Sequence, residues 1–175
     1  MKQIYTIGHS TRSLDEFVRL LRHEGVTRLC DIRRFPGSQR YPHFSREAMS
    51  KSLPDAGITY LHLEDLGGRR KASGDSPNTA LRNEQFRAYA DHMTSPEFRA
   101  AVETLLDSDQ RTAYMCAEAV PWRCHRNLLS DELVRRGLTV VHIIGEGQRQ
   151  KHVMSEDAQI VGDRLVYSGP ERKLF

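Results

Sequence analysis

The sequence predicts an α/β fold in which a mainly parallel sheet of about five strands carries helices on both faces, a Rossmann-like three-layer sandwich. Three observations predict it. Short β-type runs alternate with amphipathic helical stretches along the chain. The strand candidates are apolar throughout rather than alternating, as strands buried on both faces must be. No repeat, low-complexity tract or linker divides the 175 residues, a length that suits a single domain with a real core.

Gln3 to Ile7 reads as the first strand, ending at Gly8. Ser13-Leu14-Asp15-Glu16 is a capping box, in which the Ser hydroxyl accepts from the third helical N–H and Glu16 reaches back. Leu14, Phe17, Val18 and Leu21 then share one helical face, and Gly25 is the stop. Val26 to Ile32 is the second strand. Pro36, Gly37 and Pro42 mark a loop over 33–45, after which Ser45 caps a helix reaching about Ala56. Ile58 to Leu63 is the third strand. Residues 64–83 contain Gly67-Gly68, the basic run 69–71 and Ser73-Gly74-Asp75-Ser76-Pro77-Asn78 without periodicity, so a long mobile loop is expected. Helices follow at about 84–93 and 96–107, the second opened by Ser95-Pro96. Thr112 to Ala117 is the fourth strand, Cys124 to Arg136 the last main helix, and Leu138 to Ile144 a β-branched fifth strand. The end of the chain, 156–175, reads as a tail or a hairpin turning at Gly162-Asp163.

Composition bounds the function. With 38% apolar and 28% charged residues the chain has neither a disordered nor a collagen-like bias. The longest apolar stretches, such as Leu138 to Ile144, fall far short of the ~20 residues of a membrane span. The amino terminus lacks the apolar region of a secretory signal, and three cysteines do not make a disulfide framework. A reduced, cytoplasmic protein without a membrane partner is expected. Net charge is +3, with nine Lys/Arg against four acids in residues 1–46. Because 21 of the 26 basic residues are Arg, this excess reads first as compositional bias and second as an anion or nucleic-acid footprint.

In open α/β sheets ligands bind beyond the carboxyl ends of the strands. There the first strand delivers Gly8-His9-Ser10-Thr11 and the second Asp31-Ile32-Arg33-Arg34. The third leads to His62, Glu64 and Leu66-Gly67-Gly68, the fourth to Cys116, Glu118 and Cys124-His125-Arg126, and the fifth ends at His142. The segment 116–126 reads as strand, Pro-containing loop and helix start, so free N–H groups and the helix dipole would hold an anion. Arg126, with Arg123 as a second donor, would grip phosphate or carboxylate, and an exposed Arg126 would contribute little to stability. The dipole would favour a Cys124 thiolate as nucleophile, with His125 as general acid or base and Glu118 orienting it or binding substrate. His9 joins the catalytic candidates, and Gly8, Ser10, Asp31, Arg33, Gly67, Gly68 and Arg126 are the ligand-binding ones.

Blander readings stand beside these. Cys116, inside a strand, reads first as a small core residue, and Cys124 equally as helix packing or reactive thiol. Asp31 and Arg33 form either a structural ion pair or a ligand grip. Gly67-Gly68 with 69–71 is a plain loop or a lid over an anion. Phe35, Tyr41 and Phe44 among the arginines of 33–46 offer stacking platforms, though such aromatics more often anchor a loop. His142 and His152 read as satisfied histidines. No G-x-G-x-x-G, Walker lysine or Cys-x-x-Cys pair is present, so no dinucleotide or ATP fingerprint exists and a metal is not expected.

Thr6-Ile7-Gly8-His9-Ser10, Asp31-Ile32-Arg33 with Pro36-x-Ser38 and Pro42-x-Phe44, Leu66-Gly67-Gly68, Cys116-x-Glu118 with Cys124-His125-Arg126, and His142-Ile143 together resemble the bacterial and archaeal family termed domain of unknown function 488. The resemblance covers about 3–155, and the last 20 residues carry less of it. It implies that these patches define the family and implies no reaction. Three readings therefore stay open. The first is an enzyme binding an anionic small molecule, a nucleotide or phosphorylated metabolite, at the strand ends. The second is a nucleic-acid-binding or processing accessory protein, and the third a thiol or metal sensor using Cys116 and Cys124.

Overall fold

The structure, a computed structural model, describes residues 2–37 and 39–169. Met1, Ser38 of the Pro36-x-Ser38 motif and residues 170–175 of the tail lie outside the described residues. The elements run β1 (Gln3–Gly8), α1 (Leu14–His23), β2 (Arg28–Asp31), α2 (Arg46–Asp55), β3 (Thr59–His62), α3 (Glu84–His92), α4 (Pro96–Leu106), β4 (Thr112–Cys116), α5 (Arg126–Arg135), β5 (Thr139–Gly145), β6 (Gln148–Lys151), β7 (Ala158–Val161) and β8 (Arg164–Tyr167). The sheet has the order β3-β2-β4-β1-β5-β6, with β1 to β5 parallel and β6 antiparallel on β5. Sequence reasoning found the five parallel strands. The sixth, Gln-Arg-Gln-Lys, is exposed at every position and carries no apolar signal. Its charges suit a sheet edge, where they discourage pairing with another chain.

Two cores sandwich the sheet. Phe17, Leu21, Met49 and Leu53 of α1 and α2 pack with Tyr5, Leu29 and Met115 on one face. Tyr89, Phe98, Val102 and Leu129 of α3, α4 and α5 pack with Ile4, Cys30 and Tyr114 on the other. The β7–β8 hairpin joins that second core through Leu165 and Tyr167. The helix starts are chemically plain. Ser13, Ser45 and Ser95 each accept the N–H three residues on (Glu16, Ala48 and Phe98), satisfying a donor the helix itself cannot. Glu16 does not reach back as a capping box requires; its carboxylate pairs with Arg12 at 3.1 Å. Within 64–83 only Glu64–Leu66 forms a 3-10 turn, and the rest is irregular. No helix among the described residues is long and apolar enough to cross a membrane.

Because the connections leaving β1 and β2 run over one face and those leaving β3 and β4 over the other, the strand ends part around β4. A crevice opens at such a reversal.

Candidate active site

The carboxyl ends of β1 and β4 stay zipped past the sheet. His9 N–H donates to the Cys116 carbonyl at 3.0 Å and Ser10 N–H to the Ala117 carbonyl at 2.9 Å. Gly8 is obligatory here, since a Cβ would lie 1.6 Å from the Glu118 carbonyl oxygen. This backbone pairing holds Gly8 and His9 buried at the strand ends, with Ser10 half-buried. His9 stacks on Phe44 at 4.5 Å and its Nδ1 meets the Ser10 carbonyl. Burial lowers its pKa from 6.5 to about 4, keeping it neutral beside Arg33.

At the end of β2, Asp31 is wholly buried and accepts from the Arg33 N–H, Nε and Nη2 and from the Tyr60 hydroxyl. Arg33 Nη2 also donates to the Phe44 carbonyl at 2.6 Å. The pair is thus a structural tie that pins the 33–45 loop, and its charge is spent internally. Beyond β3, Gly67 presses against Arg34, whose amide nitrogen would lie 2.5 Å from an added Cβ, and Gly68 faces His125 Nδ1 at 3.1 Å by the same measure. These glycines let the 66–69 backbone close down on its neighbours. Arg69 follows at φ 57, an uncommon conformation for a side chain of its size.

The end of β4 carries the chemistry. Cys116 and Cys124 meet sulfur to sulfur at 2.9 Å. The helix does not begin at Cys124 as its sequence suggests. Pro121–Arg123 forms a 3-10 turn that Cys124 closes, and α5 starts at Arg126. Three of the donors expected to be free for an anion are therefore occupied: Cys124 N–H by the Pro121 carbonyl, Asn127 N–H by the Cys124 carbonyl, and Arg126 N–H by the Cys124 sulfur at 3.4 Å.

Arg126 is not exposed either. It is fully buried, donating from Nη1 to Thr6 Oγ1 at 3.1 Å and from Nη2 to the Glu118 and Ala119 carbonyls. Its Nε has no hydrogen-bond partner among the described residues. The charge acts on the sulfurs. Burial, then the neighbouring Cys124 sulfur, pushes the Cys116 thiol well above 9.0. At Cys124 burial acts the same way, but the Cys116 thiol, the Arg126 guanidinium and the Arg126 N–H outweigh it and bring the thiol down to about 7.

The crevice over this pair has a volume of about 460 Å³. Cys124, His125 and Glu118 line it, as do Arg33 and Gly68 from the ligand-binding candidates. Gly8, His9, Ser10, Asp31, Gly67 and Arg126 do not line it. Its exposed cations are Arg69 and Arg123, with Arg34 half-buried, and Phe35 and Phe86 are aromatic walls. Phe86 and its neighbour Gln85 escaped sequence reasoning. The signal was available, because Asn83 caps both N–H groups and so fixes the first turn of α3. His125 donates from Nε2 to the Ile32 carbonyl, 3.3 Å away, and burial holds its pKa at about 4.

Behind Arg126 runs a buried relay that the sequence did not announce. Thr6 Oγ1 meets His142 Nδ1 at 2.7 Å, His142 Nε2 meets His152 Nδ1 at 2.9 Å, and His152 Nε2 meets Asp131 Oδ1 at 2.7 Å. The Tyr167 hydroxyl and Ser155 N–H complete the Asp131 carboxylate. His142 and His152 are thus the satisfied histidines the sequence suggested, and no cluster of three or more metal-ligating side chains exists among the described residues.

A family model described as Domain of unknown function DUF488 matches residues 13–133. The match spans α1 through most of α5 and stops short of the 3–155 that the motifs suggested. No curated protein and no solved structure matches the chain.

Proposed function

The chain belongs to the DUF488 family, whose description assigns no function, and from that premise we propose an enzyme that binds an anionic small molecule in the crevice and attacks it with the Cys124 thiolate. The observation that carries this reading is the placement of Cys124 on the crevice wall against the Arg126 guanidinium, with its thiol brought down to about 7. A thiolate available at neutral pH is the reactive form of cysteine, whereas buried structural cysteines keep their protons.

The ligand class follows from the rim. Arg69 and Arg123 are exposed and able to take phosphate oxygens in a two-pronged grip, while Phe35 and Phe86 suit a flat ring. Arg126, expected from sequence to hold the anion, instead serves the sulfur. A nucleotide or phosphorylated metabolite matches this chemistry, and about 460 Å³ suits a small ligand better than a nucleic-acid strand. Glu118, exposed at the edge, supplies a carboxylate for proton transfer, and neutral His125 supplies a hydrogen-bonding ring.

The single tryptophan, Trp122, is exposed beside Arg123 and reports on the crevice by its fluorescence. Titration with AMP, ADP, ribose 5-phosphate and pyrophosphate is expected to quench it saturably and to raise the melting temperature by several degrees. In Arg69→Ala/Arg123→Ala the affinity should fall at least tenfold with stability unchanged. If no compound binds at millimolar concentration while a DNA or RNA oligonucleotide does, with steep salt dependence, the small-molecule reading is wrong.

A further inference from the structure

We infer that Cys116 and Cys124 are a reversible dithiol–disulfide pair, with Cys124 the sulfur that reacts with a hydroperoxide and Cys116 the sulfur that resolves it. The inference shares the Cys124 thiolate with the reading above but requires none of its anionic ligand.

Geometry carries it first. The sulfurs are 2.9 Å apart, so closing to the ~2.05 Å of a disulfide needs a movement of under about 1 Å. Both ends of the intervening segment are already held. The Cys116 carbonyl accepts from His9, the Glu118 and Ala119 carbonyls from Arg126, and the Cys124 N–H donates to Pro121. A cross-link between residues 116 and 124 therefore joins two fixed points and orders no new loop.

The division of labour follows from what surrounds each sulfur. Cys124 is 8% exposed, borders the crevice and receives the Arg126 N–H at 3.4 Å. Cys116 also lines the crevice but is only 2% exposed, sits at the end of β4 and turns its S–H towards the Glu118 carbonyl and the Cys124 sulfur. The outer sulfur is the anion and the inner one keeps its proton. Cys30 provides contrast within the same chain: it is wholly buried, and burial pushes its thiol up to about 11.

The steps balance. The Cys124 thiolate attacks the terminal oxygen of the hydroperoxide, an S–O bond forms, the O–O bond breaks, and the departing alkoxide or hydroxide takes a proton from solvent. Cys116 then gives up its proton, its sulfur attacks the Cys124 sulfenic acid, the S–O bond breaks, and hydroxide leaves with that proton as water. Two electrons pass from the two sulfurs to the peroxide. An external dithiol returns them by thiol–disulfide exchange at Cys124, the more accessible sulfur. Oxidation removes the anion that Arg126 faces, so it also silences Cys124 as a nucleophile.

The test uses the full chain, reduced, freed of reductant and exposed to stoichiometric hydrogen peroxide. Intact mass is expected to fall by two hydrogens, and non-reducing digestion to recover a peptide joining Cys116 to Cys124. Alkylation of Cys124 by iodoacetamide should drop at least tenfold and return with dithiothreitol, while Cys30 is unaffected. In Cys116→Ser the reaction should stop at a dimedone-reactive sulfenic acid on Cys124. Stable gain of oxygen by the wild-type chain, an intermolecular disulfide, or no change under conditions that oxidise a free cysteine peptide would overturn the inference. Wild-type mapping decides the matter even if Cys116→Ser fails to fold. Anion binding with no disulfide removes this inference alone; a disulfide with no anion binding removes the proposed ligand instead.

Discussion

A buried guanidinium without a direct carboxylate partner must be justified by other anions, and for Arg126 that anion is a sulfur. Removing it leaves Thr6, two backbone carbonyls and the Cys124 thiolate without their donor. Arg126→Ala is therefore expected to cost about 3 kcal/mol or more in a urea titration, the reverse of what an exposed helix-start arginine would do. In the wild type, iodoacetamide should alkylate Cys124 with a midpoint near pH 7, the rate falling at lower pH as the thiolate protonates. Stability moves with the same proton. Between about 7 and 9.0 the unfolded chain binds the Cys124 proton and the folded chain does not, so the advantage of wild type over Cys124→Ser should widen as pH rises through that window. Gly8→Ala should be destabilising by several kcal/mol at least, because its methyl has no room before the Glu118 carbonyl.

At the scale of elements, the β7–β8 hairpin is part of the core. Tyr167 is wholly buried, its hydroxyl donates to Asp131, its N–H to Asn78 Oδ1, and its carbonyl accepts from Ala80. A chain ending at Ser155 should melt at least several degrees below the full one by calorimetry, and Tyr167→Phe should cost about 1–2 kcal/mol. The hairpin itself was legible from Gly162-Asp163 between two β-type runs, and so were the three serine caps and all five parallel strands. Strand β6 was not, for a fully solvated edge has no apolar periodicity to read. The start of α5 was misplaced by two residues because Pro121 sets up a 3-10 turn that takes Cys124 out of the helix. Nor was the burial of Arg126 legible as a helical face, because Leu128 to Leu133 are buried without a break and mark no single side of α5. What the sequence could not supply was the meeting of Thr6, His142, His152 and Asp131, whose separations reach 136 residues for Thr6 and His142.

For the whole molecule, three neutral histidines make acid the weak side. Burial lowers His9 and His125 to about 4 and His142 to about 3 from 6.5. Below 6.5 the unfolded chain gains these protons and the folded chain does not, so the urea midpoint should fall steeply from pH 6.5 towards 4. An unchanged midpoint over that range would contradict the burial of these rings. The relay behind the crevice has a further consequence, because hydrogen bonds have direction. A carboxylate only accepts, so His152 gives Asp131 its Nε2 hydrogen, and Thr6 Oγ1, which accepts from the Arg126 guanidinium, has its own proton to give to His142 Nδ1. His142 then carries its hydrogen on Nε2 and gives it to His152 Nδ1, which forces the His152 hydrogen onto Nε2 and towards Asp131. Both rings are held in one tautomer by a cation at one end and a carboxylate at the other. Nitrogen-15 spectra should find both as the Nε2–H form, a polarity that runs through the molecule from the sulfur pair to the C-terminal hairpin.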